Sequence, residues 1–174
     1  MKAAFFSKAL IPLTTGLFLS FVLSAQDNPA KRPSPPATAT GMVKGKNITI
    51  NYSSPGVKGR EIWNGLVPYG QIWRAGANEA TTFETDKDVK IKRQSLPAGK
   101  YAFFAIPGEK KWTVIFNKVP DQWGAYNYDQ QQDALRVVVK AKETDEMYER
   151  LQYEITKKGF ELQWEHRVIR VPIK

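Results

Sequence analysis

The amino-acid sequence predicts an all-β protein: a β-sandwich, or a partly open barrel, of mostly antiparallel strands with short helical turns only. Apolar and polar residues alternate with a period of two along most of the chain from Gly41 onward, which is typical of strands with one buried face. The alternating runs are rich in β-branched and aromatic residues. Turn signals separate them at intervals of roughly 8–12 residues, and helical periodicity is scarce, which together favour a sandwich or a barrel.

The first half of the predicted sheet contains five strand-like runs. In KNITINYS, Ile48, Ile50 and Tyr52 alternate with polar residues, and ATTFETD and DVKIK continue the same pattern. The runs KYAFFAI (100–106) and KWTVIFN (111–117) follow, and the turn IPGEK between them predicts a hairpin.

The C-terminal part of the chain predicts four more strands. They are ALRVVVKAK (134–142), ERLQYEI, FELQWEHR and VIRVPI, with Gly159 marking one turn. The segment 143–154 also has residues three or four apart that would share one helical face. We therefore expect a short helix or turn there that leads into a strand, and a second short helical turn near 60–64.

The beginning of the chain has the pattern of a secretory signal peptide. Lys2 and Lys8 give a positively charged start, and an apolar run from Ala9 to Leu23 follows them. Small residues at 24 and 25 then offer a cleavage site. The run is shorter than the roughly 20 residues that a membrane span needs. We expect cleavage before Gln26 and an exported protein, periplasmic or extracellular, with no transmembrane anchor after cleavage.

These patterns divide the chain into three predicted parts. Residues 1–25 are the predicted signal peptide, and residues 26–36, QDNPAKRPSPP, are a predicted proline-rich linker. Proline and small polar residues bury too little surface to offset the entropy lost on ordering. Residues 37–174 are predicted to form a single β-sandwich domain.

Composition excludes several classes of site. The chain of 174 residues has no cysteine, one histidine and a formal net charge of +9 at pH 7. Without cysteine there are no disulfides, thiol nucleophiles or cysteine-bound metals, and a zinc site normally needs several His or Cys ligands. We expect neither a metal nor a cofactor. Because the basic residues are scattered and form no long run of like charges, we expect no nucleic-acid partner.

The sequence identifies no catalytic residue. His166 lies in a strand-like run, and no G-x-S-x-G nucleophile elbow is present. The alternative function is a carbohydrate-active hydrolase, an enzyme that needs two carboxylates. Glu79 would supply one of them. An acid of the 121–133 loop would supply the other: Asp121, Asp129 or Asp133. The sequence does not decide whether the protein is an enzyme, and it favours a non-catalytic function.

The segment EIWNGLVPYGQIWRAGANEATTF (61–83) is the strongest candidate for a binding site. It combines flat aromatic rings with directional polar groups, which is the composition of a small-ligand pocket. A second aromatic cluster lies farther along the chain. The predicted ligand-binding residues of the two stretches are Trp63, Tyr69, Trp73, Arg74, Asn78, Glu79, Trp123 and Tyr126.

The alternative for the same segment is a structural corner. Trp63 and Trp73 would then close the open end of a sandwich. Arg74 and Glu79 would form a buried pair, because neither charge is stable in the interior alone.

Three long blocks of the sequence carry a resemblance to a known family. They are SSPGVKGREIWNGLVPYGQIWRAGANEATTF, LPAGKYAFFAIPGEKKWTVIFNK and DQWGAYNYDQQQDALRV. The chain resembles, over roughly residues 34–174, the bacterial family catalogued as domain of unknown function 2911. The resemblance implies an exported, β-rich protein and assigns no activity. The favoured function is therefore a non-catalytic ligand-binding or interaction module of the cell envelope, with a small molecule or glycan as its partner.

Overall fold

A computed structural model describes residues 32–174 of the protein. The predicted signal peptide and residues 26–31 of the predicted linker lie outside the described residues. The last linker residues contact the domain: Pro35 O accepts a hydrogen bond from Ser54 N at 2.8 Å, and Pro36 begins the first strand.

The described residues form nine strands and one 3₁₀ helix, so the predicted all-β fold is confirmed. The strands are β1 (Pro36–Val43), β2 (Lys46–Ser53), β3 (Thr81–Thr85), β4 (Val89–Ile91), β5 (Gln94–Leu96), β6 (Gly99–Ile106), β7 (Lys111–Asn117), β8 (Asp133–Thr156) and β9 (Gly159–Pro172), and the 3₁₀ helix is Gln130–Gln132. Seven strands form one antiparallel sheet in the order β1-β2-β3-β6-β7-β8-β9, while β4 and β5 form a small second sheet. No helix within residues 32–174 is long and apolar enough to cross a membrane.

β8 and β9 form a long, bent hairpin that nearly closes the sheet. β8 pairs with β7 through its first part and with β9 through the rest, and the β8–β9 register shifts twice between Glu143 and Gln152. β9 bends opposite these bulges at Glu165, whose φ of 53° is uncommon for a residue other than glycine. The bend brings the two ends of β9 together. They are so close that a Cβ added at Gly159 would collide with the carbonyl oxygen of Val171.

The chain that leaves β2 pairs with the second half of β8. Val57 N donates to Glu149 O at 2.7 Å, and Leu151 N donates to Pro55 O at 2.9 Å. These bonds attach the chain directly after β2 to β8, although β2 and β8 are not neighbours in the order of the main sheet. The strands therefore surround the core on nearly all sides, as in a partly open barrel.

Two predictions about secondary structure were wrong, both in the C-terminal half. Residues 143–154 belong to β8 and contain no helix. Leu151 and Tyr153 alternate into the core while Met147 stays exposed, so the period of two decides the structure there. The division into four C-terminal strands was also wrong: ALRVVVKAK and ERLQYEI are both part of β8, and FELQWEHR and VIRVPI are one bent strand, β9.

Side chains pack on both faces of the central strands. Inside the barrel, the Phe116 ring lies 5.0 Å from Phe83 and 5.3 Å from Phe103. On the outer face, Phe104 contacts Tyr128 at 5.1 Å, because the chain between β7 and β8 lies over this face. Burial on both faces explains why β6 is nearly continuously apolar instead of alternating.

Candidate functional site

The segment 54–80 connects β2 to β3 and covers one end of the barrel. Its glycines and prolines interrupt regular pairing, and a few backbone hydrogen bonds hold it in place. Trp73 exchanges two backbone bonds with Ala105 of β6, at 2.7 and 2.8 Å, and Gly70 N donates to Pro107 O at 2.8 Å. The segment is thereby fixed against the end of the β6–β7 hairpin.

Four tryptophans from distant parts of the chain meet beneath this segment. The ring centroids of Trp63, Trp73, Trp112 and Trp164, here called the tryptophan cluster, are 4.9–6.0 Å apart in the contacting pairs. Trp73 stacks on Trp164 with an interplanar angle of 16°, and the other contacts are edge-to-face, the two arrangements that aromatic rings prefer. Trp63 and Trp73 thus anchor the segment in the core.

Trp73 also lines a pocket of about 300 Å³, here called the Trp73 pocket. This volume is at the lower end of the range for small-molecule sites. The polar lining includes Ser34, Gln71 and two arginines, Arg60 and Arg74, and none of the described residues that line it is a carboxylate. Most of the remaining lining is apolar and includes Pro55, Leu66, Val67, Pro68, Ile72 and Trp164.

Arg74 lines the pocket and has no counter-charge among residues 32–174. Its Nε is buried and has no hydrogen-bond acceptor within residues 32–174, and none of the ion pairs among these residues includes it. Among the described residues, Arg60 donates to two backbone carbonyls, Val57 O at 3.1 Å and Gly56 O at 2.5 Å. Residues 32–174 therefore give the Trp73 pocket two arginines and no carboxylate.

The indole of Trp164 is a further unsatisfied donor at this pocket. Trp164 is 1% exposed, and its Nε1 has no acceptor within the described part of the chain. Buried polar groups are almost always hydrogen-bonded. Two buried N–H groups without acceptors, on Arg74 and Trp164, thus belong to residues that line one pocket.

A second cavity, of about 570 Å³, shares Arg60 with the Trp73 pocket and is here called the His166 cleft. The Nδ1 of His166 lies 3.1 Å from Thr144 O. Because a carbonyl oxygen only accepts, Nδ1 is the donor of a hydrogen bond at this contact. The cleft is lined by the bends of β8 and β9 and by the start of segment 61–83, including Glu61, Trp63, Tyr69, Glu143, Asp145, Glu165 and Arg167.

Several charged groups of the His166 cleft already have partners. Glu165 accepts hydrogen bonds from Trp63 Nε1 at 2.9 Å and from the backbone of His166 at 2.7 Å. Arg167 pairs with Glu143 at 3.5 Å. Within residues 32–174, no group of three or more His, Asp or Glu side chains is placed to hold a metal ion. The unsatisfied donors therefore distinguish the Trp73 pocket from the cleft.

The family model described as "Protein of unknown function (DUF2911)" matches residues 34–173. The chain belongs to this family. The match confirms the resemblance predicted from the sequence, and it includes every residue that lines the Trp73 pocket and the His166 cleft. No curated protein and no solved structure matches the chain. Membership of DUF2911 assigns no activity, so function is argued from the two cavities.

The structure distributes the eight predicted site residues of this DUF2911 protein over three regions. Two of them line the pocket, two line the cleft, and four lie outside both. Sequence proximity therefore did not imply one common site. The three groups are Trp73 and Arg74, then Trp63 and Tyr69, then Asn78, Glu79, Trp123 and Tyr126.

Asn78 and Glu79 hold the incoming N-terminal chain. Asn78 Nδ2 donates to Ser34 O at 3.0 Å, and Glu79 forms an ion pair with Arg32 at 2.6 Å. Trp123 is 55% exposed, and the Arg32 guanidinium carbon lies 6.0 Å from its ring centroid. These contacts attach residues 32–34 to the domain.

The buried pair of Arg74 and Glu79, which the sequence left open, does not form. Glu79 pairs with Arg32, and its side chain is 51% exposed, whereas Arg74 lines the pocket. Partial burial raises the pKa of the Glu79 carboxyl, but the hydrogen bond and charge of Arg32, with smaller hydrogen bonds, outweigh it, so the pKa lies below its ordinary value.

The acids proposed to act with Glu79 have other partners. Asp121 lies 3.6 Å from Lys100 Nζ, Asp129 caps the 3₁₀ helix, and Asp133 accepts a hydrogen bond from a tyrosine at 2.7 Å. The cavity that Glu79 lines includes Lys100 and no second carboxylate from the described residues. This geometry does not assemble the two-acid site of a glycosidase.

Sequence reasoning missed Arg60, Trp164 and Ser34 as pocket residues. Trp164 lies in an alternating strand, so its local pattern indicates only a core position. Arg60 follows a glycine in a turn, and Ser34 falls within the predicted linker. No local signal joins them, because long-range pairing of β8 and β9 and the attachment of the N-terminal chain bring them to Trp73.

Proposed function

We propose that this DUF2911 protein is a non-catalytic binding module that holds a small ligand in the Trp73 pocket. One observation carries the proposal: two arginines, Arg60 and Arg74, line an otherwise mainly apolar pocket to which residues 32–174 contribute no carboxylate. A partly buried cation such as Arg74 is costly without a counter-charge. A ligand with an anionic or hydrogen-bond-accepting group would lower this cost, and the tryptophan wall would bury its apolar part.

The rigidity of the wall supports binding in this place. Trp73 is held by two backbone bonds to β6 and by contacts with three other indoles. A preformed wall needs little ordering when a ligand arrives, so more of the contact energy contributes to affinity. The His166 cleft gives weaker support, because several of its charged groups already pair with each other.

The carbohydrate hydrolase that uses Glu79 receives no such support. Glu79 pairs with Arg32 on the surface, and the loop acids have separate partners. We therefore propose the binding function alone.

We further propose that the module acts in the cell envelope, in the periplasm or outside the cell. The support is the signal-peptide pattern before Gln26. N-terminal sequencing of the protein from an envelope fraction should start at or near Gln26. An intact Met1 on protein from the cytoplasm would contradict export.

The binding proposal is tested by a thermal-shift screen of the purified protein against sugars, peptidoglycan fragments, nucleotides, small organic acids and neutral aromatic compounds. A ligand at about 100 times its Kd adds about 2.7 kcal/mol to stability. Arg74→Gln should abolish the shift of a true pocket ligand. Arg93→Gln, on the exposed turn between β4 and β5, is the matched control and should keep it.

The same pair of variants separates a binding role from a structural one. Arg74→Gln should leave the free energy of unfolding within about 1 kcal/mol of wild type, because Nε has no acceptor to lose. A loss of about 3 kcal/mol or more would show that Arg74 is structural. A stabilising ligand that shifts Arg74→Gln as strongly as wild type would place binding elsewhere and contradict the proposal.

A further inference from the structure

We infer that a basic surface of the barrel, here called the basic face, binds membranes that contain anionic phospholipids. The basic face consists of the side chains of Lys92, Arg93, Lys157, Lys158 and Lys174. None of these residues lines the Trp73 pocket or the His166 cleft. The inference therefore goes beyond the proposed pocket ligand and does not depend on it.

The fold gathers the basic face from three separate parts of the sequence. Lys158 O accepts a hydrogen bond from Ile173 N at 2.9 Å, which joins the β8–β9 turn to the residues that end β9. Lys90 and Lys174 exchange two backbone bonds, at 2.8 and 2.9 Å, which join β4 to the same residues. Two grooves that share Pro172 are lined by all five basic side chains. Cations that are scattered along the sequence therefore form one surface.

The basic face carries little compensating charge. The linings of the two grooves contain six basic residues and one acid, Glu161. The sixth base, Arg170, pairs with this acid at 2.6 Å and is not counted in the basic face. The other five are exposed, and none of them forms an ion pair with another residue of the range 32–174. Five side-chain charges thus face outward, and their electrostatic complement is an anionic surface.

The β4–β5 turn supports a function for its two cations. Its residues, Lys92 and Arg93, have φ of 47° and 74°. Positive φ at both central residues of a two-residue hairpin is the mark of a type I′ turn, which favours asparagine and glycine. Other residues cost stability there. The chain thus keeps two long basic side chains at strained positions, and such strain is concentrated at functional sites.

The surroundings of the basic face favour a lipid surface as its partner. Pro172, which lines both grooves, is exposed. Val138 is 49% exposed, and its carbonyl oxygen accepts a hydrogen bond from Lys92 Nζ at 2.6 Å. Cations beside exposed apolar groups are typical of surfaces that bind the boundary between headgroups and acyl chains. The proposed location in the cell envelope would also bring such lipids within reach.

The experiment measures binding of the purified protein to vesicles by flotation. One set of vesicles is phosphatidylcholine alone, and the other is an equal mixture of phosphatidylcholine and phosphatidylglycerol. The protein should float with the mixed vesicles and not with phosphatidylcholine alone. Binding should fall as salt rises, because the Debye length shortens from about 30 Å at 0.01 M to about 8 Å at 0.15 M.

A pair of double variants tests the location. A lysine near an anionic bilayer strengthens binding roughly fivefold, so Lys157→Gln with Lys158→Gln should weaken binding to mixed vesicles by about tenfold or more. The matched control, Lys110→Gln with Lys111→Gln, removes two adjacent exposed lysines that line neither groove. It should weaken binding by less than about threefold, because its lysines lie outside the contact. Equal losses in the two double variants would overturn the inference.

The β4–β5 turn supplies a variant that separates lost binding from lost structure. Lys92→Asn with Arg93→Gly gives the turn its preferred residues, so the melting temperature should rise by about 2–4 °C. The same variant should bind mixed vesicles about tenfold more weakly. A gain in stability together with a loss of binding cannot result from unfolding. Unchanged binding to mixed vesicles would contradict a role of these two cations and overturn the inference.

The remaining outcomes concern the partner and the pocket. Equal binding to both kinds of vesicle would show that anionic lipid is not recognised. Tighter binding to heparin than to mixed vesicles, at equal salt and equal total negative charge, would assign the basic face to a soluble polyanion and overturn the lipid partner. The thermal shift of a Trp73-pocket ligand should persist in Lys157→Gln with Lys158→Gln, so failure of vesicle binding leaves the proposed function standing.

Discussion

Replacing Trp63 by alanine tests whether the aromatic residues of segment 61–83 anchor it to the core. Trp63 is 8% exposed, and its ring centroid lies 4.9 Å from Trp112, 5.7 Å from Trp164 and 6.0 Å from Trp73. Its Nε1 donates to Glu165 at 2.9 Å. The substitution therefore removes a buried ring, three ring contacts and one hydrogen bond to a carboxylate.

The expected loss is about 4 kcal/mol. Large aromatic residues cost about 3–5 kcal/mol when truncated to alanine in a core. The hydrogen bond adds about 1–2 kcal/mol because Glu165 loses a donor, and relaxation of the surrounding loop offsets part of this sum. Since a domain has only about 5–15 kcal/mol of stability in total, Trp63→Ala should be marginally stable. Trp63→Phe keeps a ring and should cost about 1–2 kcal/mol.

The measurement is equilibrium unfolding in urea, followed by far-ultraviolet circular dichroism because the variants change the tryptophan fluorescence. Trp123→Ala is the matched control: it makes the same chemical change at a ring that is 55% exposed. It should cost less than about 1 kcal/mol. If Trp63→Ala costs no more than Trp123→Ala, the tryptophan cluster does not anchor the segment and the reasoning is refuted.

Two further predictions concern the closure of the barrel and the surface ion pair. Gly159→Ala should cost about 3 kcal/mol of stability in the same urea assay, because the new Cβ collides with the backbone of β9. The control, Gly45→Ala, has φ 77° and no atom near the new Cβ, so it should cost about 1 kcal/mol. Equal costs would contradict the contact between the ends of β9. Glu79→Gln should cost less than about 1 kcal/mol at pH 7, since the carboxylate is half exposed. Because folding lowers the pKa of Glu79, its contribution to folding stability is present above the unfolded-state pKa of about 4.3 and is lost as pH falls through the folded-state pKa. The melting temperatures of variant and wild type should therefore converge toward pH 3. A difference that persists there would contradict the charge pairing.

The class of fold was predictable because its main signal is local. In β2, the alternate side chains of Ile48 and Ile50 are buried, and the pattern is visible within a few residues. The bounds of β8 and β9 were not predictable in this way. The corner at Glu165 depends on a positive φ that its sequence does not indicate, and the closure of the barrel depends on contacts between residues far apart in the chain.

The candidate site was predictable only in part, for the same reason. Trp73 and Arg74 stand out because a bulky aromatic residue and a cation occur among glycines. Trp164 is separated from Trp73 by most of the sheet and has the ordinary pattern of a core strand. The partner of Glu79 was also hidden, because Arg32 belongs to a segment whose composition predicts a linker.

Trp73 joins the two roles that the sequence offered as alternatives for segment 61–83. Its ring packs against three other indoles as a structural residue does, and it also forms the wall of a pocket. These roles support each other, because a ring that is already ordered loses little entropy when a ligand stacks on it. Arg74, the next residue, has the opposite character: its buried Nε has no acceptor within residues 32–174, so it adds a cost to the fold. Natural proteins tolerate such costs mainly where function requires them. The contrast between these two neighbours, one packed against three indoles and one without an acceptor among the described residues, is the reason to propose a binding role for this end of the barrel.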